Sequence, residues 1–266
     1  KVAKKRDNYK IIFASKKIST NSFFIKDYLL KYIWWVDAFV SNNVSDYFTL
    51  NSQKIYLHHD VYDTPLVDKK IENGLKKRLI KYDQILLPSI KSQYIFNRMF
   101  EGNINSPKIL FLNNYPKLKY LKENIKYRSS KFKTIIVAPT NFNAFKGYTL
   151  LKDIDRLIDR LLQLNYKVIY RPHPSNLNEK KVREINNKFI DNTSFKLDDS
   201  NNYINTYKES DIMITDLSGT AYTYAFLTYN PVIFYSPKEK KINYSYYKKL
   251  NYFKDRNKVG KVLNTI

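Results

Sequence analysis

Histidine is the residue of this sequence best suited to acid–base chemistry, and the chain has three histidines and no cysteine. His58 and His59 follow a short apolar stretch that predicts a strand, and Asp60 comes directly after them. One of the two histidines can take a proton from a hydroxyl group, with Asp60 or Asp63 orienting the imidazole. Adjacent strand side chains point in opposite directions, so a single metal ion rarely uses both. The pattern predicts a general base, and a solvated turn histidine remains the alternative for each residue.

The third histidine, His173, lies in the run Arg-Pro-His-Pro after another predicted strand. The two prolines restrict the backbone and predict a rigid loop. From such a loop the imidazole can donate to a diphosphate and stabilise charge on a leaving phosphate. Arg171 is either a phosphate clamp or a salt-bridged strand end. A histidine that only caps a turn remains the structural alternative.

Ser218, Gly219 and Thr220 form a small polar turn between a predicted strand and an apolar helix. Its backbone N–H groups, its two hydroxyls and the helix N-terminus together suit a phosphate. Asp216 is predicted to hold this turn or to orient a hydroxyl. It occupies the position where a Gly-x-Ser-x-Gly nucleophile elbow needs glycine, which argues against serine hydrolase chemistry.

Strands alternate with helices along the chain, which predicts an α/β protein of two Rossmann-like parallel-sheet domains that face a cleft. The predicted strands cover residues 10–14, 54–57, 82–88, 108–112, 133–138, 166–170, 195–197, 211–215 and 231–235. The predicted helices cover residues 21–32, 67–81, 90–100, 150–164, 179–189, 201–208 and 221–227, and residues 33–40 are a strand or a buried helix end. The polar, lysine-rich stretch after residue 112 predicts domains over residues 1–118 and 132–266, joined by a linker over 119–131. The tail after Lys238 is predicted to be helical and to pack on the first half.

Metal and dinucleotide sites are not predicted. Asp153 and Asp155 have the spacing of an Asp-x-Asp metal motif, but they fall inside a predicted amphipathic helix, where a solvated face explains them. The chain has 5 glycines and no Gly-x-Gly-x-x-Gly fingerprint. We therefore expect neither a metal nor a cofactor.

The charge balance favours anionic partners. The chain of 266 residues carries 47 Lys and Arg against 24 Asp and Glu, a net charge of +23. Such a field attracts nucleic acid, an anionic membrane surface or phosphate-rich substrates, although a coding bias toward Lys, Asn, Ile and Tyr also explains much of it. Without a nucleic-acid-binding motif, nucleic acid is not expected as the partner.

The compartment follows from what the sequence lacks. It shows no signal peptide and no apolar run of about 18 residues, so no membrane-spanning helix is predicted. The absence of cysteine fits the cytoplasm, and the start at Lys1 rather than at a methionine is expected of a fragment.

Four stretches together resemble the CDP-glycerol glycerophosphotransferase family, GT-B enzymes of teichoic acid and capsule synthesis. They are Arg171-Pro172-His173-Pro174, residues 210–220, residues 231–235 and the loop Ala138-Pro139-Thr140. Residues 56–60 look like the family's Trp-His-Gly motif, although the glycine is absent, and Ser218-Gly219 stands where the family has Ser-Ser.

The resemblance implies a site divided between two domains. His58 or His59 would be the base on the acceptor side, with Asp60 beside them, in the N-terminal domain. In the C-terminal domain, His173, Ser218 and Thr220 would hold the diphosphate of a CDP-linked donor. Thr140, Arg171, Asp216 and Gly219 are expected to be the other donor-binding residues. The acceptor hydroxyl would attack the β-phosphorus of a CDP-polyol, or the anomeric carbon of a nucleotide sugar.

The implied product is a glycerol or ribitol phosphate, or a sugar, on a cell-surface polymer or lipid-linked acceptor. Such an enzyme would be cytoplasmic, with peripheral contact at the inner face of the plasma membrane. The alternatives are a nucleotide-sugar glycosyltransferase of capsule or lipopolysaccharide synthesis and a non-catalytic polyanion-binding module. A nucleotide-sugar 2-epimerase is a third, but it needs acidic residues in the helix over 221–227, which has none.

Overall fold

The computed structural model describes residues 13–14, 24–25, 27–112, 115–123, 133–200, 202–236, 242 and 247–265. The chain divides into two compact units. The first comprises residues 1–59, 75–86 and 102–110, and the second comprises residues 60–74, 87–101 and 111–266. The linker expected over 119–131 falls largely on residues outside the described ranges, so that boundary stays a prediction.

The described strands and helices follow each other in the alternation expected from the sequence. The strands are β1 (Phe13–Ala14), β2 (Phe24–Ile25), β3 (Ala38–Ser41), β4 (Gln53–Leu57), β5 (Gln84–Leu87), β6 (Lys108–Phe111), β7 (Thr134–Val137), β8 (Lys167–Tyr170), β9 (Phe195–Leu197), β10 (Ile212–Thr215), β11 (Val232–Tyr235) and β12 (Gly260–Leu263). The α-helices are α1 (Lys69–Leu79), α2 (Gln93–Phe100), α3 (Pro116–Lys122), α4 (Ile154–Gln163), α5 (Lys180–Phe189), α6 (Tyr203–Glu209), α7 (Thr220–Thr228), α8 (Asn251–Lys254) and α9 (Arg256–Val259). Short 3-10 helices cover Asp27–Tyr32, Ile90–Ser92, Leu150–Lys152 and Pro174–Asn176.

The second unit contains a six-stranded parallel sheet with the order β12-β11-β10-β7-β8-β9. Counted from β7, this is the order 6-5-4-1-2-3 of a doubly wound Rossmann sheet. The chain winds outward first on one side of β7 and then on the other, so the direction of winding switches between β7 and β10. The expected α/β class with parallel sheets is confirmed.

Most of a four-stranded sheet, with the order β3-β4-β5-β6, lies in the first unit. Strands β3, β4 and β5 pair in parallel. A two-stranded parallel pair, β1 with β2, belongs to the same unit. His58 and His59 directly follow β4, as predicted.

The core of the second unit forms where helix α4 covers the sheet. The α4 residues Ile154, Leu157, Ile158 and Leu161 are buried and lie on one face of the helix, in one cluster with β8. Spacings of three and four residues place them on that face, which is why the sequence identified this helix well.

Two predictions at the start of the chain are wrong in part. Residues 21–32 were expected to form one helix, but the structure has strand β2 followed by the 3-10 helix Asp27–Tyr32. Strand pairing of β2 with β1 overrides the local helical pattern there. The apolar stretch 33–40 becomes regular only at Ala38, because Trp34 and Trp35 are 67% and 59% exposed rather than buried.

One element near the end of each predicted domain was missed. The stretch 113–131 was expected to be irregular, yet it contains α3, which begins at Pro116, a residue favoured at the first position of a helix. The tail forms the one-turn helices α8 and α9, in agreement with its predicted helical character, and then the missed strand β12, which extends the sheet beyond β11. A Cβ atom on Gly260 would lie 1.7 Å from the carbonyl oxygen of Val232, so glycine allows β12 to approach β11.

The tail packs on residues from the first half of the sequence, as predicted. The backbone N–H of Asn251 donates to Asp63 at 2.7 Å, and its side-chain amide donates to the carbonyl oxygen of Lys91 at 2.9 Å. All three residues belong to the second unit. Among the described residues, the helices are all too short or too polar to span a membrane.

Candidate active site

The predicted phosphate-binding residues surround the point where the winding of the second unit's sheet switches direction. Strands β7 and β10 are neighbours, and the backbone N–H of Ala138 donates to the carbonyl oxygen of Ile214 at 2.9 Å. The loop after β7, which contains Thr140, and the turn after β10, which contains Ser218, therefore leave the sheet side by side. In open α/β sheets, ligands bind in the crevice at this point.

Asp216 joins three backbone segments at this edge of the sheet. One carboxylate oxygen accepts the N–H groups of Thr140 at 2.8 Å and Leu217 at 2.7 Å. The other oxygen accepts the N–H of Leu150 at 2.9 Å, at the start of the segment that leads into α4. These contacts fit the predicted role of holding the turn, and they connect Thr140 to it through the main chain.

The Asp216 carboxylate has no exposed surface. Burial raises the pKa of Asp216 to about 6, although hydrogen bonds from the N–H groups of Leu150, Thr140 and Leu217 oppose the rise. A buried carboxylate is stabilised by N–H donors, and those N–H groups would otherwise lack partners. The loops at the candidate site therefore depend on one buried ionisable group.

The Ser218–Thr220 turn is the entrance to helix α7. Gly219 is the N-cap residue, and Thr220 is the first residue of the helix. Ser218 is buried, and its carbonyl oxygen accepts the hydroxyl of Tyr252 at 3.3 Å. The hydroxyl of Thr220 is hydrogen-bonded to that of Tyr207, a contact that the sequence did not predict. The turn thus presents a helix N-terminus, which attracts anions.

Arg171 is held by an ion pair. Its guanidinium group donates to Asp198 at 2.5 Å and to the carbonyl oxygen of Ser200 at 3.0 Å. Strands β8 and β9 pair Tyr170 with Leu197, so Arg171 and Asp198 are the next residues on two neighbouring strands. The contacts favour the salt-bridged strand end over the phosphate clamp, which stays a prediction, and strand register is the signal that could have identified Asp198.

His173 caps the 3-10 helix that follows β8. Its Nδ1 atom accepts the backbone N–H of Ser175 at 3.2 Å. Because Nδ1 is the acceptor, the neutral imidazole carries its proton on Nε2. The turn-capping contact expected for a structural histidine is therefore present, and the N–H group of Nε2 lies on the other side of the ring. The capping and the phosphate-binding roles are compatible.

Asn176 connects the two loops beside His173 and was missed by the sequence interpretation. Its side-chain oxygen accepts the N–H of Phe142 at 3.0 Å, and the residue has no exposed surface. It joins the loop after β8 to the loop after β7, within the second unit. The side-chain type alone gives no sign of this contact, because asparagine is as common in exposed turns.

His58 and His59 occupy different environments in the first unit. His58 is 1% exposed, and its Nδ1 atom lies 3.5 Å from the hydroxyl of Tyr56. His59 is exposed, and its Nδ1 atom donates to the carbonyl oxygen of Asn42 at 2.9 Å. This bond places the neutral proton of His59 on Nδ1 and the lone pair on Nε2, which is the form a general base needs. The geometry favours His59 over His58 as the base.

A family model agrees with these features over most of the chain. The model of CDP-glycerol:poly(glycerophosphate) glycerophosphotransferase matches residues 55–265. The chain belongs to this glycerophosphotransferase family.

Similar proteins come from teichoic acid synthesis. The minor teichoic acid biosynthesis protein GgaB of Bacillus subtilis (strain 168) is 25% identical over an alignment of 252 residues, and the match covers 86% of this chain and 25% of GgaB. A structure of the wall teichoic acid polymerase TagF is 19% identical with a TM-score of 0.58, and the match covers 99% of this chain and 71% of that chain. A TagF structure soaked with CDPG is 19% identical with a TM-score of 0.50, and it covers 85% of this chain and 60% of that chain. The chain thus spans a quarter of GgaB, and the TagF structures show the fold.

Asp60, which was predicted to orient the histidine base, lies against the Ser218–Thr220 turn within the second unit. A Cβ atom added to Gly219 would lie 2.4 Å from one oxygen of the Asp60 carboxylate. Its predicted role beside the base stays a prediction. Asp63 is fully buried and accepts the N–H of Asn251, so its described contact anchors the tail.

The acidic residues of this family member do not gather around a metal in the part of the chain that the structure describes. No group of three or more His, Cys, Asp or Glu side chains there could hold an ion. Asp155 pairs with Lys181 at 2.8 Å, and Asp153 pairs with Arg156 at 3.4 Å.

Replacing Asp216 by asparagine should change how stability depends on pH. The folded-state pKa of about 6 lies above the ordinary value of 3.8, so the folded protein holds this proton more tightly than the unfolded chain. The contribution of Asp216 is therefore fully present below about pH 4 and lost as the pH rises through about 6, by roughly 3 kcal/mol at most. As the pH rises between these limits, the unfolding free energy measured by urea titration should decrease more for wild type than for Asp216→Asn. The exposed Asp191→Asn serves as control, and equal slopes for wild type and Asp216→Asn would contradict the assignment.

Proposed function

We propose that the chain transfers a polyol phosphate, glycerol or ribitol phosphate, from a CDP-linked donor to a cell-surface polymer or lipid-linked acceptor. The observation that carries the proposal is the placement of Thr140 and the Ser218–Thr220 turn at the winding switch of a Rossmann sheet. Family membership over residues 55–265 supports the choice of reaction. The similar TagF was solved with CDPG, which supports the choice of donor.

The donor diphosphate is assigned to the second unit. The N–H groups of the turn and the positive end of α7 attract its oxygens. His173 donates from Nε2 to the phosphate that leaves, since its Nδ1 atom is occupied by the N–H of Ser175. Such N–H donors stabilise the negative charge that develops on the leaving phosphate, and the phosphate does not have to be protonated first.

The acceptor proton is assigned to His59 in the first unit. Its Nε2 atom removes the proton from the acceptor hydroxyl, and the oxygen attacks the β-phosphorus of the donor. The new bond joins that oxygen to phosphorus, while the bond between this phosphorus and the bridging oxygen breaks. CMP leaves with the electron pair, and the proton on His59 passes to solvent or to the phosphate of CMP.

His173 should be needed for donor binding. Loss of its Nε2 donor in His173→Ala should weaken CDP-glycerol binding about tenfold or more, since hydrogen bonds to charged groups are strong. His173→Asn retains an acceptor for the N–H of Ser175 and serves as the matched variant. We expect both variants to lose affinity in calorimetry on the whole chain, and only His173→Ala to lose stability as well.

Binding measurements with a series of nucleotides distinguish between the candidate donors. Binding of CDP-glycerol or CDP-ribitol supports polyol-phosphate transfer, whereas preference for a UDP-sugar would favour a nucleotide-sugar glycosyltransferase. Wild-type affinity in His173→Asn would reduce His173 to a turn cap. Failure of every nucleotide to bind would contradict the proposed function.

His59 should be needed for transfer and not for donor binding. His59→Ala should lower the rate of CMP release in the presence of a polyol-phosphate primer by about 10² to 10⁴, the range for a lost general base. Its affinity for the donor should stay within about twofold of wild type. His58→Gln is the paired variant and should affect stability more than rate, because His58 is buried. Equal loss of transfer in both variants would contradict the choice of His59.

We also propose peripheral contact with an anionic membrane face, where lipid-linked acceptors lie. The net charge of +23 supports it, as do the exposed rings of Trp34 and Trp35, because tryptophan prefers membrane interfaces. A Trp34→Ala, Trp35→Ala variant should bind phosphatidylglycerol vesicles less well in co-sedimentation. Ile190→Ala, which removes an exposed apolar residue elsewhere, is the control. Unchanged binding in the double variant would contradict the role of these rings.

A further inference from the structure

The carboxylate of Asp60 occupies the space that a side chain at Gly219 would need. A Cβ atom on Gly219 would lie 2.4 and 2.9 Å from the two carboxylate oxygens and 2.7 Å from the carbon between them. Gly219 has φ −62° and ψ −23°, which any residue adopts. A side chain at Gly219 would therefore displace the Asp60 carboxylate from its present position, and both residues belong to the second unit.

This contact joins the residue that directly follows the histidine pair to the turn at the start of α7. A carboxylate on one segment thus meets a glycine on the other. The Asp60 carboxylate fills the volume that a side chain at Gly219 would occupy. It also places a negative charge beside the turn assigned to the donor diphosphate.

A carboxylate at this position discriminates between two kinds of ligand group. It is an acceptor of hydrogen bonds and carries a negative charge, as does an ionised phosphate, so the two repel each other. A hydroxyl group can instead donate to it. A terminal phosphate next to Gly219 is therefore disfavoured, and a phosphate esterified to a hydroxyl-bearing group is favoured.

The surroundings of Asp60 suit a polyol chain. Burial, followed by the negative charge of Asp60 and by Tyr203, raises the pKa of Tyr115, so Tyr115 lies within electrostatic range of the carboxylate and of Tyr203. The ring centroids of Tyr203 and Tyr207 lie 4.9 Å apart, and the hydroxyl of Tyr207 is hydrogen-bonded to that of Thr220. Aromatic faces with a polar tip pack on the carbon atoms of a ligand and bond to its hydroxyls.

We propose that Asp60 is a specificity-determining residue that makes the turn prefer a diphosphate capped by a polyol over one that ends in a free phosphate. The proposal rests on the proposed function, because it takes the Ser218–Thr220 turn as the donor-phosphate site. Its substrate class is a nucleoside diphosphate esterified to a hydroxyl-rich group. The uncapped nucleotide is the disfavoured competitor.

The first experiment compares CDP-glycerol with CDP by calorimetry on the whole chain. Wild type should prefer CDP-glycerol, and Asp60→Asn should reduce that preference about tenfold, mainly because CDP binds more tightly once the charge is removed. Asp199→Asn removes an exposed carboxylate from the loop after β9 and should leave both affinities unchanged. A preference that Asp60→Asn leaves within about twofold of wild type overturns the proposal, and so does an equal loss in Asp199→Asn.

A second measurement separates this proposal from the proposed function. Inorganic phosphate is the probe, and Asp60→Asn should bind it several-fold more tightly than wild type whichever nucleotide the protein uses. If no nucleotide binds, the proposed function fails while the phosphate series still decides the role of Asp60. Phosphate affinity that is unchanged in Asp60→Asn overturns that role.

The contact itself is tested by a double-mutant cycle on thermal stability. Gly219→Ala should lower the melting temperature in wild type, because its methyl group collides with Asp60, and should lower it much less in Asp60→Gly. This difference measures the coupling between the two residues. Additive effects would overturn the contact on which the proposal depends.

Discussion

The buried carboxylate of Asp216 is the constraint on which the candidate site depends. Three loop segments direct backbone N–H groups at it, from Thr140, Leu150 and Leu217, and none of these groups has a partner of its own in a sheet or helix. A buried N–H without a partner costs about 1–3 kcal/mol. The loops after β7 and β10 therefore keep their positions only while the carboxylate stays between them. Burial raises its pKa to about 6, which makes this anchor sensitive to protonation as well as to mutation.

Backbone groups also decide the chemistry available to the histidines. The N–H of Ser175 makes Nδ1 of His173 an acceptor, and the carbonyl oxygen of Asn42 makes Nδ1 of His59 a donor. The two neutral rings therefore carry opposite tautomers. One ring presents an N–H group suited to a phosphate, and the other presents a lone pair suited to a hydroxyl proton. Two residues of the same type are thereby given different roles by the main chain.

Electrostatics at the turn combine attraction with exclusion. The N-terminus of α7 favours an anion, and a net charge of +23 favours anionic ligands over the whole surface. The Asp60 carboxylate beside Gly219 is an exception within this field. A negative group at this position lowers the affinity for a terminal phosphate, and it can thereby determine which end of a ligand fits.

The sequence by itself determined the α/β alternation, the strands that precede His58, His173 and Asp216, and the turn at Ser218, because apolar periodicity and small polar residues are local signals. The family resemblance, since confirmed, came from the same local motifs. The sequence did not determine strand β12, whose four residues are too few to show a period and which pairs only because Gly260 admits the neighbouring backbone. The helical expectation for residues 21–32 failed for the same reason, since pairing between β1 and β2 is a non-local interaction.

Only the tertiary structure decided the strand order 6-5-4-1-2-3, which brings Thr140 beside Asp216 across 76 residues of chain. It also decided that Arg171 pairs with Asp198, that His58 is buried while His59 is exposed, and that Asp60 covers Gly219. Residue types and spacing show which groups can do chemistry. Burial, hydrogen-bond partners and volume depend on segments distant in the chain, so the state of each group became defined only when those segments packed together.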